Sequence, residues 1–372
     1  MRILFIVNKI EEGKDGVGDY TLKLAEQFRL HSHETFFLSS SASEKEQRSD
    51  AFFVVGNWGW HSISFIMEIT DKLKPDWVIV QYVPFAFHKR GFPLWLCALL
   101  IRFRFGRVKI AIFFHEIADR FYFPSGKRIL SSLLNRIIGN LLYSLSHKSW
   151  ASIAFYHRYF MINPDLIPIG SNIKLRGVSE KKRVNDIITL STFGIRNALY
   201  FKILIDAAEI LVGKDLGFNI KVLGTIPEKE QTISLIASKG LTDHFYFSGF
   251  VTEGQIELEL ISSDIFINLN GADHLGRGGT CLKSGSLAAG FAAGLSVIGF
   301  RGDMTDEVLR NGDILLLCDE TSGMCLAKKI EMLLTDSSLR NRLQDSAIRF
   351  YEKELRWPLI YSRWMLGLTK VN

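Results

Sequence analysis

The chain has 372 residues, 47% hydrophobic and 23% charged, with a formal net charge of +6. This composition excludes a disordered protein, and the length exceeds what one hydrophobic core usually fills, so we expect two domains. No stretch reaches the roughly 18 uncharged apolar residues of a membrane-spanning helix, because the longest candidate, GFPLWLCALLI, ends at Arg102.

The first half of the chain alternates short apolar strands with amphipathic helices. Ile3 to Val7 predicts a first strand that is too short for the core of a signal peptide, so we expect a cytoplasmic protein. A polar loop containing Gly13 and Gly16 leads into a helix with the sequence DYTLKLAEQFRLH. ETFFLSS, AFFVVG, WVIVQYV and VKIAIFFHE predict further strands. This order indicates a Rossmann-like domain with a parallel sheet.

Positive charge is concentrated between Trp77 and Pro164. Twelve lysines and arginines stand there against Glu116 and Asp119, interleaved with large apolar residues in segments such as PFAFHKRGFPLWL and RILSSLLNRIIGNLLYSL. The pattern fits a face that rests on an anionic membrane surface, and it fits equally well an ordinary solvated helix face with a core behind it. No nucleic-acid-binding motif accompanies the charge, so nucleic acid is not an expected partner.

A second series of strands and helices follows the lysine-rich segment SEKKRVND. It runs from the strand IITLSTFG and the helix YFKILIDAAEILVG through FNIKVLG and FYFSG to the strand DIFINL. We therefore expect a Rossmann-like domain at residues 1–170, a second one at residues 171–350, and a closing helix at residues 351–372 that packs back on the first. The four cysteines lack metal-ligand or redox spacing, so neither a disulfide nor a metal is expected.

The most informative segment runs from Leu269 to Phe300, LNGADHLGRGGTCLKSGSLAAGFAAGLSVIGF. It follows a predicted strand, and open α/β sheets bind ligands at the carboxyl ends of their strands. Ser284, Gly285 and Ser286 stand where a helix would start, with free N–H groups suited to a diphosphate. The alternative is a glycine-rich turn that only allows tight packing.

Several short motifs occur in a characteristic order along nearly the whole chain. They are GVGDY after the first strand, HE after FF, IPIGSN, KVLGTIPE, FYFSGFVTEGQIELELISSDIFINL and AAGFAAGLSVIG. This ordered set resembles the GT-B glycosyltransferases of family 4. QYVPFAFHKRGFP and GTCLKSGSL further resemble a bacterial subgroup with an Arg-Arg-Gly-Ser-Leu element, whose arginine positions are occupied here by Lys283 and Ser284. The resemblance implies an α/β fold of the GT-B type, with two Rossmann-like domains whose parallel sheets face across a cleft.

The resemblance also implies an activity. It indicates a hexosyltransferase-like, metal-independent enzyme without a cofactor, which moves a sugar from a nucleotide-diphosphate sugar to a glycan or lipid-linked acceptor with retention of configuration. Bacterial surface-polysaccharide or lipopolysaccharide synthesis is the implied setting. A peripheral position on the inner face of the plasma membrane would suit the basic segment.

Matching positions give the site residues that the resemblance implies. His115 and Glu116 are the predicted catalytic residues. The donor diphosphate is expected on Arg196, Lys202, Lys283, Ser284, Gly285 and Ser286. A glycine loop at the cleft is expected at Gly16, Val17, Gly18 and Asp19, and Glu307 is a candidate nucleotide contact. An ungapped alignment on LIDAA instead puts Gly194 and Leu199 at the two basic positions assigned here to Arg196 and Lys202. A purely structural or surface role is the alternative for each of these residues.

One departure from the family bears on activity. The family's two glutamates, eight positions apart, fall on Cys281 and Ala289, so neither carboxylate is present. A catalytically silent nucleotide-sugar-binding or scaffold partner of a polysaccharide assembly complex is therefore the alternative function. The N-terminal motifs argue against a nucleotide-sugar epimerase. An NAD-dependent oxidoreductase would need G-x-G-x-x-G directly after the first strand, which NKIEEGKDGVGDY does not supply.

Overall fold

The computed structural model of the protein describes most of the chain, and it divides into two compact units. Described are residues 1–371 apart from Glu12, Lys14, 43–50, Arg107, 118–125, 176–186, Arg196 and Phe250, with the backbone alone at 126–128. Unit 1 comprises Met1–Pro168 and Trp357–Asn372, and unit 2 comprises Ile169–Arg356. No helix in the described ranges is long and apolar enough to cross a membrane.

Unit 1 is an α/β structure. Its strands are β1 (Arg2–Ile6), β2 (Lys9–Ile10), β3 (Glu34–Ser39), β4 (Ser41–Ala42), β5 (Phe52–Val54), β6 (Trp77–Tyr82), β7 (Lys109–Phe114), β8 (Lys148–Ala151) and β9 (Asp165–Leu166). Its helices are α1 (Gly16–Leu30), α2 (Ser62–Leu73), α3 (Pro84–Phe87), α4 (Leu94–Arg104), α5 (Gly126–Leu145) and, at the end of the chain, α12 (Trp357–Thr369); a 3-10 helix covers Ala154–Tyr159.

The main sheet of unit 1 is parallel and has the order β5-β3-β1-β6-β7-β8-β9. Every residue of β6 is buried, as expected for a central strand covered on both faces. After β1 the chain builds the sheet outward through β3 and β5, and then returns to β6 on the other side of β1. The loops after β1 and β6 therefore flank a topological switch point, where open α/β sheets bind ligands.

The last helix, α12, is part of unit 1. It packs against α1, and the indole Nε1 of Trp364 donates a hydrogen bond of 3.0 Å to the hydroxyl of Tyr20. The Trp364 ring also lies 4.2 Å from the ring of Trp150, measured between centroids. Trp150 and Trp364 are both almost fully buried, so residues from both ends of the chain share one core.

Unit 2 repeats the architecture with six parallel strands. Its strands are β10 (Ile188–Phe193), β11 (Phe218–Leu223), β12 (Phe245–Gly249), β13 (Ile265–Ile267), β14 (Ser296–Phe300) and β15 (Leu316–Cys318). Its helices are α6 (Ala198–Val212), α7 (Lys229–Ser238), α8 (Glu253–Ile261), α9 (Gly285–Ala292), α10 (Gly323–Thr335) and α11 (Ser337–Phe350). Short 3-10 helices lie at Thr242–His244 and Glu307–Leu309, and a π-helical turn covers Tyr351–Leu355.

The strand order of unit 2 is β12-β11-β10-β13-β14-β15, so its switch point lies between β10 and β13. The loop after β13 is the glycine-rich segment, and it leads into α9, which begins at Gly285 as the sequence predicts. The α/β class and the two parallel sheets expected from the strand and helix pattern are thus confirmed.

Candidate functional site

Two loops meet at the switch point of unit 2. The loop after β10 turns at Gly194, whose φ of +74° lies in the left-handed region that favours glycine. A Cβ atom placed on Gly194 would lie 3.7 Å from the hydroxyl of Ser286, so this turn sits against the start of α9. The structure therefore brings Gly194 next to the predicted helix start. Arg196 itself lies outside the described residues.

The start of α9 presents free backbone donors. Ser284 is the N-cap residue, and its Oγ accepts a hydrogen bond of 3.2 Å from the amide of Leu287. In the described part of the chain, the amides of Gly285 and Ser286 donate to no acceptor, and both residues are partly exposed. Two free amides at the positive end of a helix dipole, behind a neutral cap, form an arrangement that favours an anion.

A polar network beneath α9 fixes its first turn. Buried Asn268 directs its side-chain Nδ2 at the hydroxyls of Ser284 and Ser286, at 3.4 and 3.5 Å. The Asn268 Oδ1 accepts a hydrogen bond of 3.1 Å from buried Thr280, whose hydroxyl in turn accepts one from the amide of Phe300. The two serine hydroxyls lie 3.0 Å apart. This network joins the loop after β13 to β14 and holds the helix start in place.

Two glycines of the loop serve tight packing. A Cβ on Gly278 would lie 2.6 Å from the carbonyl oxygen of Gly271, and a Cβ on Gly279 would lie 2.6 Å from the amide nitrogen of Gly302. Both residues also have positive φ angles. At these positions backbone packs directly on backbone, so the packing alternative accounts for them. Gly285 differs, because a Cβ there would lie 3.3 Å from the side chain of Asn172 at the helix start.

Arg277 is bound to Asp273. Its Nε and Nη2 atoms lie 2.7 and 2.6 Å from Asp273 Oδ2, and its amide donates to Oδ1 of the same carboxylate. Burial raises the pKa of Asp273, but the Arg277 guanidinium and the amides of Arg277 and Leu275 outweigh it and lower the pKa to about 2. Asp273 therefore stays ionised and compensates the charge of Arg277. This ion pair links the two ends of the segment from Asp273 to Arg277.

A carboxyl group that the sequence analysis did not single out supports the segment before α9. Asp306 Oδ2 accepts a hydrogen bond of 2.7 Å from the amide of Leu282. Burial raises the pKa of Asp306 to about 6, against the opposing effects of that amide and of Arg310. The neighbouring residue that the sequence did suggest, Glu307, has a side chain that is 94% exposed and lies 3.5 Å from Arg310. The structure thus ties Asp306, not Glu307, to the glycine loop.

The two predicted lysines differ in their surroundings. Lys283 is partly buried in the turn that precedes Ser284, so it belongs to the same segment as the free amides. Lys202 lies on the exposed surface of α6, where its ammonium pairs with Asp206 at 2.6 Å, one turn further along the helix. An exposed pair of this spacing adds little stability. Lys283 is therefore the described lysine that stands beside the α9 start.

In unit 1 the predicted glycine loop forms the start of α1, but with a charged cap. Asp15 is the N-cap residue, and its Oδ1 accepts hydrogen bonds from the amides of Val17 and Gly18, at 3.0 and 2.7 Å. Asp19 Oδ1 accepts another from the amide of Gly13. A Cβ on Gly18 would lie 2.5 Å from the carbonyl oxygen of Lys9, so close packing requires glycine there. The α1 start is already neutralised by the protein's own carboxylate.

His115 follows β7 directly and is nearly buried. Its Nε2 donates a hydrogen bond of 2.7 Å to Oε1 of Gln81, the fifth residue of β6. The ring also contacts Phe113 and Tyr20 edge-on, with centroids 4.5 and 5.3 Å away. Tyr20 follows Asp19 in α1, so the structure brings His115 near the predicted glycine loop. Glu116, the other predicted catalytic residue, is exposed.

Two of the residues that the sequence did not suggest share one signal. Gln81 and Asn268 are polar residues within or directly after strands that are otherwise apolar, and both are almost fully buried. A buried amide needs hydrogen-bond partners, so a lone amide in such a strand indicates a polar network at its end. Asp306 gives no comparable signal. Among the residues that the structure describes, no group of three or more His, Cys, Asp or Glu side chains is placed to hold a metal ion.

Comparisons with known proteins support this architecture. Residues 178–350 match the family described as "Glycosyl transferases group 1". No curated protein sequence matches the chain significantly. Similar solved structures include a glycosyltransferase from Rickettsia africae (TM-score 0.70, 17% identity, covering 100% of this chain and 98% of that one) and HepE from Anabaena in complex with UDP (0.74, 14%, 100% and 100%). Another is WaaG, a glycosyltransferase involved in lipopolysaccharide biosynthesis (0.62, 12%, 98% and 99%). These likenesses show the GT-B fold.

Proposed function

We propose, from the glycosyltransferase group 1 domain that unit 2 carries on a GT-B fold, that this protein transfers a sugar from a nucleotide-diphosphate sugar to a glycan or lipid-linked acceptor. The transfer is metal-independent and retains the anomeric configuration. It serves the synthesis of a bacterial surface polysaccharide or lipopolysaccharide, and the enzyme works as a peripheral protein on the cytoplasmic face of the membrane. The resemblance to family 4 and to its subgroup supports these finer points.

The observation that carries the proposal is the α9 start. A donor diphosphate bears about two negative charges, and cleavage of the glycosidic bond adds charge to the departing phosphate. The free amides of Gly285 and Ser286 can donate to phosphate oxygens, and Lys283 supplies a positive charge in the same turn. Similar structures have been solved with UDP and, in one case, with UDP and glucose. These properties are those of a donor site.

The remaining predicted residues take roles consistent with this chemistry. With retention, the departing phosphate deprotonates the acceptor hydroxyl on the same face of the sugar. His115 contacts the reacting sugar or the acceptor, and Gln81 orients its ring through the Nε2 hydrogen bond. Arg196 adds positive charge near the diphosphate, Glu116 is the second catalytic residue beside His115, and Glu307 contacts the nucleotide.

The experiment that tests the proposal is a thermal-shift screen of the purified protein against UDP, GDP and their sugars, with EDTA present. We expect one nucleotide series to raise the Tm, and Lys283→Ala to lower the affinity by about tenfold, since one charge-assisted contact is lost. Lys328→Ala, which removes an exposed lysine of α10, is the matched control and should bind like the wild type. No shift with any nucleotide would contradict the proposal, as would a shift that requires a divalent metal.

A second function is favoured by one specific observation. The positions where family 4 carries its two glutamates hold Cys281 and Ala289, and both are buried in unit 2, Ala289 completely. A chain without these carboxylates would suit a silent nucleotide-sugar-binding partner of an assembly complex. The two functions separate in one assay: an enzyme releases UDP or GDP from the bound donor, by transfer or slow hydrolysis, whereas a silent partner binds the donor and leaves it intact.

A further inference from the structure

Helix α5 in unit 1 buries Ile138 and Leu142 and is apolar on its outer face as well. Within residues 129–145 its exposed side chains are Ile129, Leu130, Leu133, Ile137, Leu141 and Ser144. Ser132 and Asn135, in contrast, are fully buried, and neither side-chain amide atom of Asn135 has a hydrogen-bond partner in the described structure. A helix whose outer face meets water normally places polar residues outside. The five exposed aliphatic residues are called the apolar α5 face below.

The apolar α5 face is long and continuous. Its residues recur every fourth position from Ile129 to Leu141, a distance of about 18 Å along the helix axis. They are between 40% and 56% exposed. Met161 and Ile162 extend the face, with exposures of 91% and 66%, and the Met161 amide donates to Asn140 of α5 at 2.8 Å. Contiguous apolar surface of this kind marks an interaction site.

The surroundings of the apolar α5 face are basic. The loop between α3 and α4 carries exposed Lys89 and Arg90, and it meets α5 on its buried side, where a Cβ on Gly91 would lie 3.2 Å from the Asn135 side chain. Arg158, also exposed, lies over the Phe155 ring in the 3-10 helix that packs on α5. In the sequence from Trp77 to Pro164 the acidic residues are only Glu116 and Asp119.

We propose that the apolar α5 face docks on an anionic lipid bilayer. The helix lies in the plane of the interface with its aliphatic residues among the acyl chains, while Lys89, Arg90 and Arg158 contact lipid phosphates. The charge favours a bilayer over a second copy of this chain, because a symmetric dimer would bring two basic rims together. The inference extends the proposed function by naming the surface that brings the enzyme to a lipid-linked acceptor.

Vesicle co-sedimentation of the full-length protein tests this docking. The vesicles contain phosphatidylglycerol with phosphatidylcholine, or phosphatidylcholine alone. We expect the wild type to pellet with the anionic vesicles, and Leu133→Ser/Ile137→Ser to lower the partition coefficient by about tenfold. Leu258→Ser/Met324→Ser, which changes two residues of unit 2 with exposures of 70% and 63%, is the matched control and should bind normally.

Two further variants separate the contributions. Lys89→Glu/Arg90→Glu should lower binding to the anionic vesicles by at least about tenfold, because each basic residue near the surface contributes to attraction. Met161→Ser/Ile162→Ser substitutes no residue of α5 and keeps the Met161 amide that donates to Asn140, so a loss of binding in this variant would not come from a damaged helix. Added salt should weaken the binding of the wild type.

Three outcomes would overturn the inference. They are unchanged pelleting of both apolar variants, equal pelleting with phosphatidylcholine alone, or a wild type that is a dimer in solution, does not pellet, and becomes monomeric in Leu133→Ser/Ile137→Ser. Each variant is also tested for its nucleotide thermal shift, which reports folding of unit 2, and by far-UV circular dichroism. A wild type that pellets but binds no nucleotide would contradict the proposed function and leave the docking surface intact.

Discussion

The starts of α1 and α9 look alike in sequence and differ in charge. Each follows a glycine-containing loop near the switch point of its sheet, and each has a short polar cap. The α1 amides of Val17 and Gly18 are occupied by the carboxylate of Asp15, whereas the α9 cap is the neutral hydroxyl of Ser284. A helix start thus becomes an anion site only where the protein leaves its amides free. The cap residue distinguishes the two, and the glycines do not.

The largest expected effect comes from giving α9 the cap of α1. In Ser284→Asp, a carboxylate would accept hydrogen bonds from the first amides of α9 and would repel the donor phosphates. We therefore expect nucleotide affinity to fall about 100-fold. The Tm should not fall, because aspartate is a good N-cap. Calorimetric titration with the nucleotide that stabilises the wild type measures the change.

The converse substitution is the control for this comparison. Asp15→Asn keeps a hydrogen-bond acceptor at the α1 start and removes its charge, so nucleotide affinity should stay within about twofold of the wild type. If Ser284→Asp bound nucleotide as tightly as the wild type, α9 would not be the donor site.

A smaller effect, on kcat, is expected from substitutions of Gln81. They test whether unit 1 takes part in the catalytic step while the start of α9 in unit 2 binds the donor. Gln81→Leu removes the acceptor for His115 Nε2, so the ring loses its fixed orientation and kcat should fall about tenfold. Nucleotide affinity should be unchanged. Gln81→Glu, which can accept the same hydrogen bond, should retain most of kcat and move the pH–rate profile to higher pH, since a carboxylate favours protonated imidazole. Equal losses in both variants, without a shift in the profile, would indicate a packing role only.

The smallest effect concerns the carboxyl group of Asp306, which lies near α9 but binds the amide of Leu282. Because burial raises its pKa to about 6, the folded protein holds this proton more tightly than the unfolded chain does. The resulting stabilisation is full below the unfolded pKa, near 4, and is lost as the pH rises through 6.

Asp306→Asn keeps a hydrogen-bond acceptor and removes the titration. The Tm of the wild type minus that of the variant should therefore decrease by a few degrees between pH 4 and about 6, and then stay constant. Thermal unfolding of both proteins over this pH range measures the difference in Tm. The contributions of all other carboxylates to the pH dependence cancel in this difference, because both proteins contain them. A constant difference would show that Asp306 titrates in the folded protein as it does in the unfolded chain.

The fold class followed from the sequence, because alternating apolar strands and amphipathic helices leave few other architectures. The start of α9 at Gly285 was also predictable, since small residues and serines precede an apolar run. Its site role remains a prediction. Gly278 and Gly279 show where such reasoning ends: glycine is required equally for ligand approach and for backbone packing, and only the neighbouring Gly271 and Gly302 distinguish the two.

Other parts of the site depend on distances that sequence spacing does not encode. Gln81 meets His115 because β6 and β7 pair in parallel with Gln81 opposite Phe113, and the pairing register of distant strands is not readable from either strand alone. The charged cap at α1 depends on the rotamer of Asp15. The raised pKa of Asp306 comes from its burial, and its bond to the Leu282 amide joins residues 24 positions apart. Sequence spacing shows neither feature, so Glu307, one position away and exposed, was equally plausible from sequence.

The place of α12 has a practical consequence for anyone who wishes to divide this protein. The polypeptide passes from unit 1 to unit 2 after Pro168 and returns to unit 1 after Arg356. In unit 1, Trp364 of α12 is buried against Trp150 and Tyr20. A stop codon near residue 356 would therefore leave the first unit with an open core and an insoluble product. To express unit 2 alone, the chain must be cut at both junctions, before Ile169 and after Arg356. To express unit 1 alone, its two segments must be joined by a short linker.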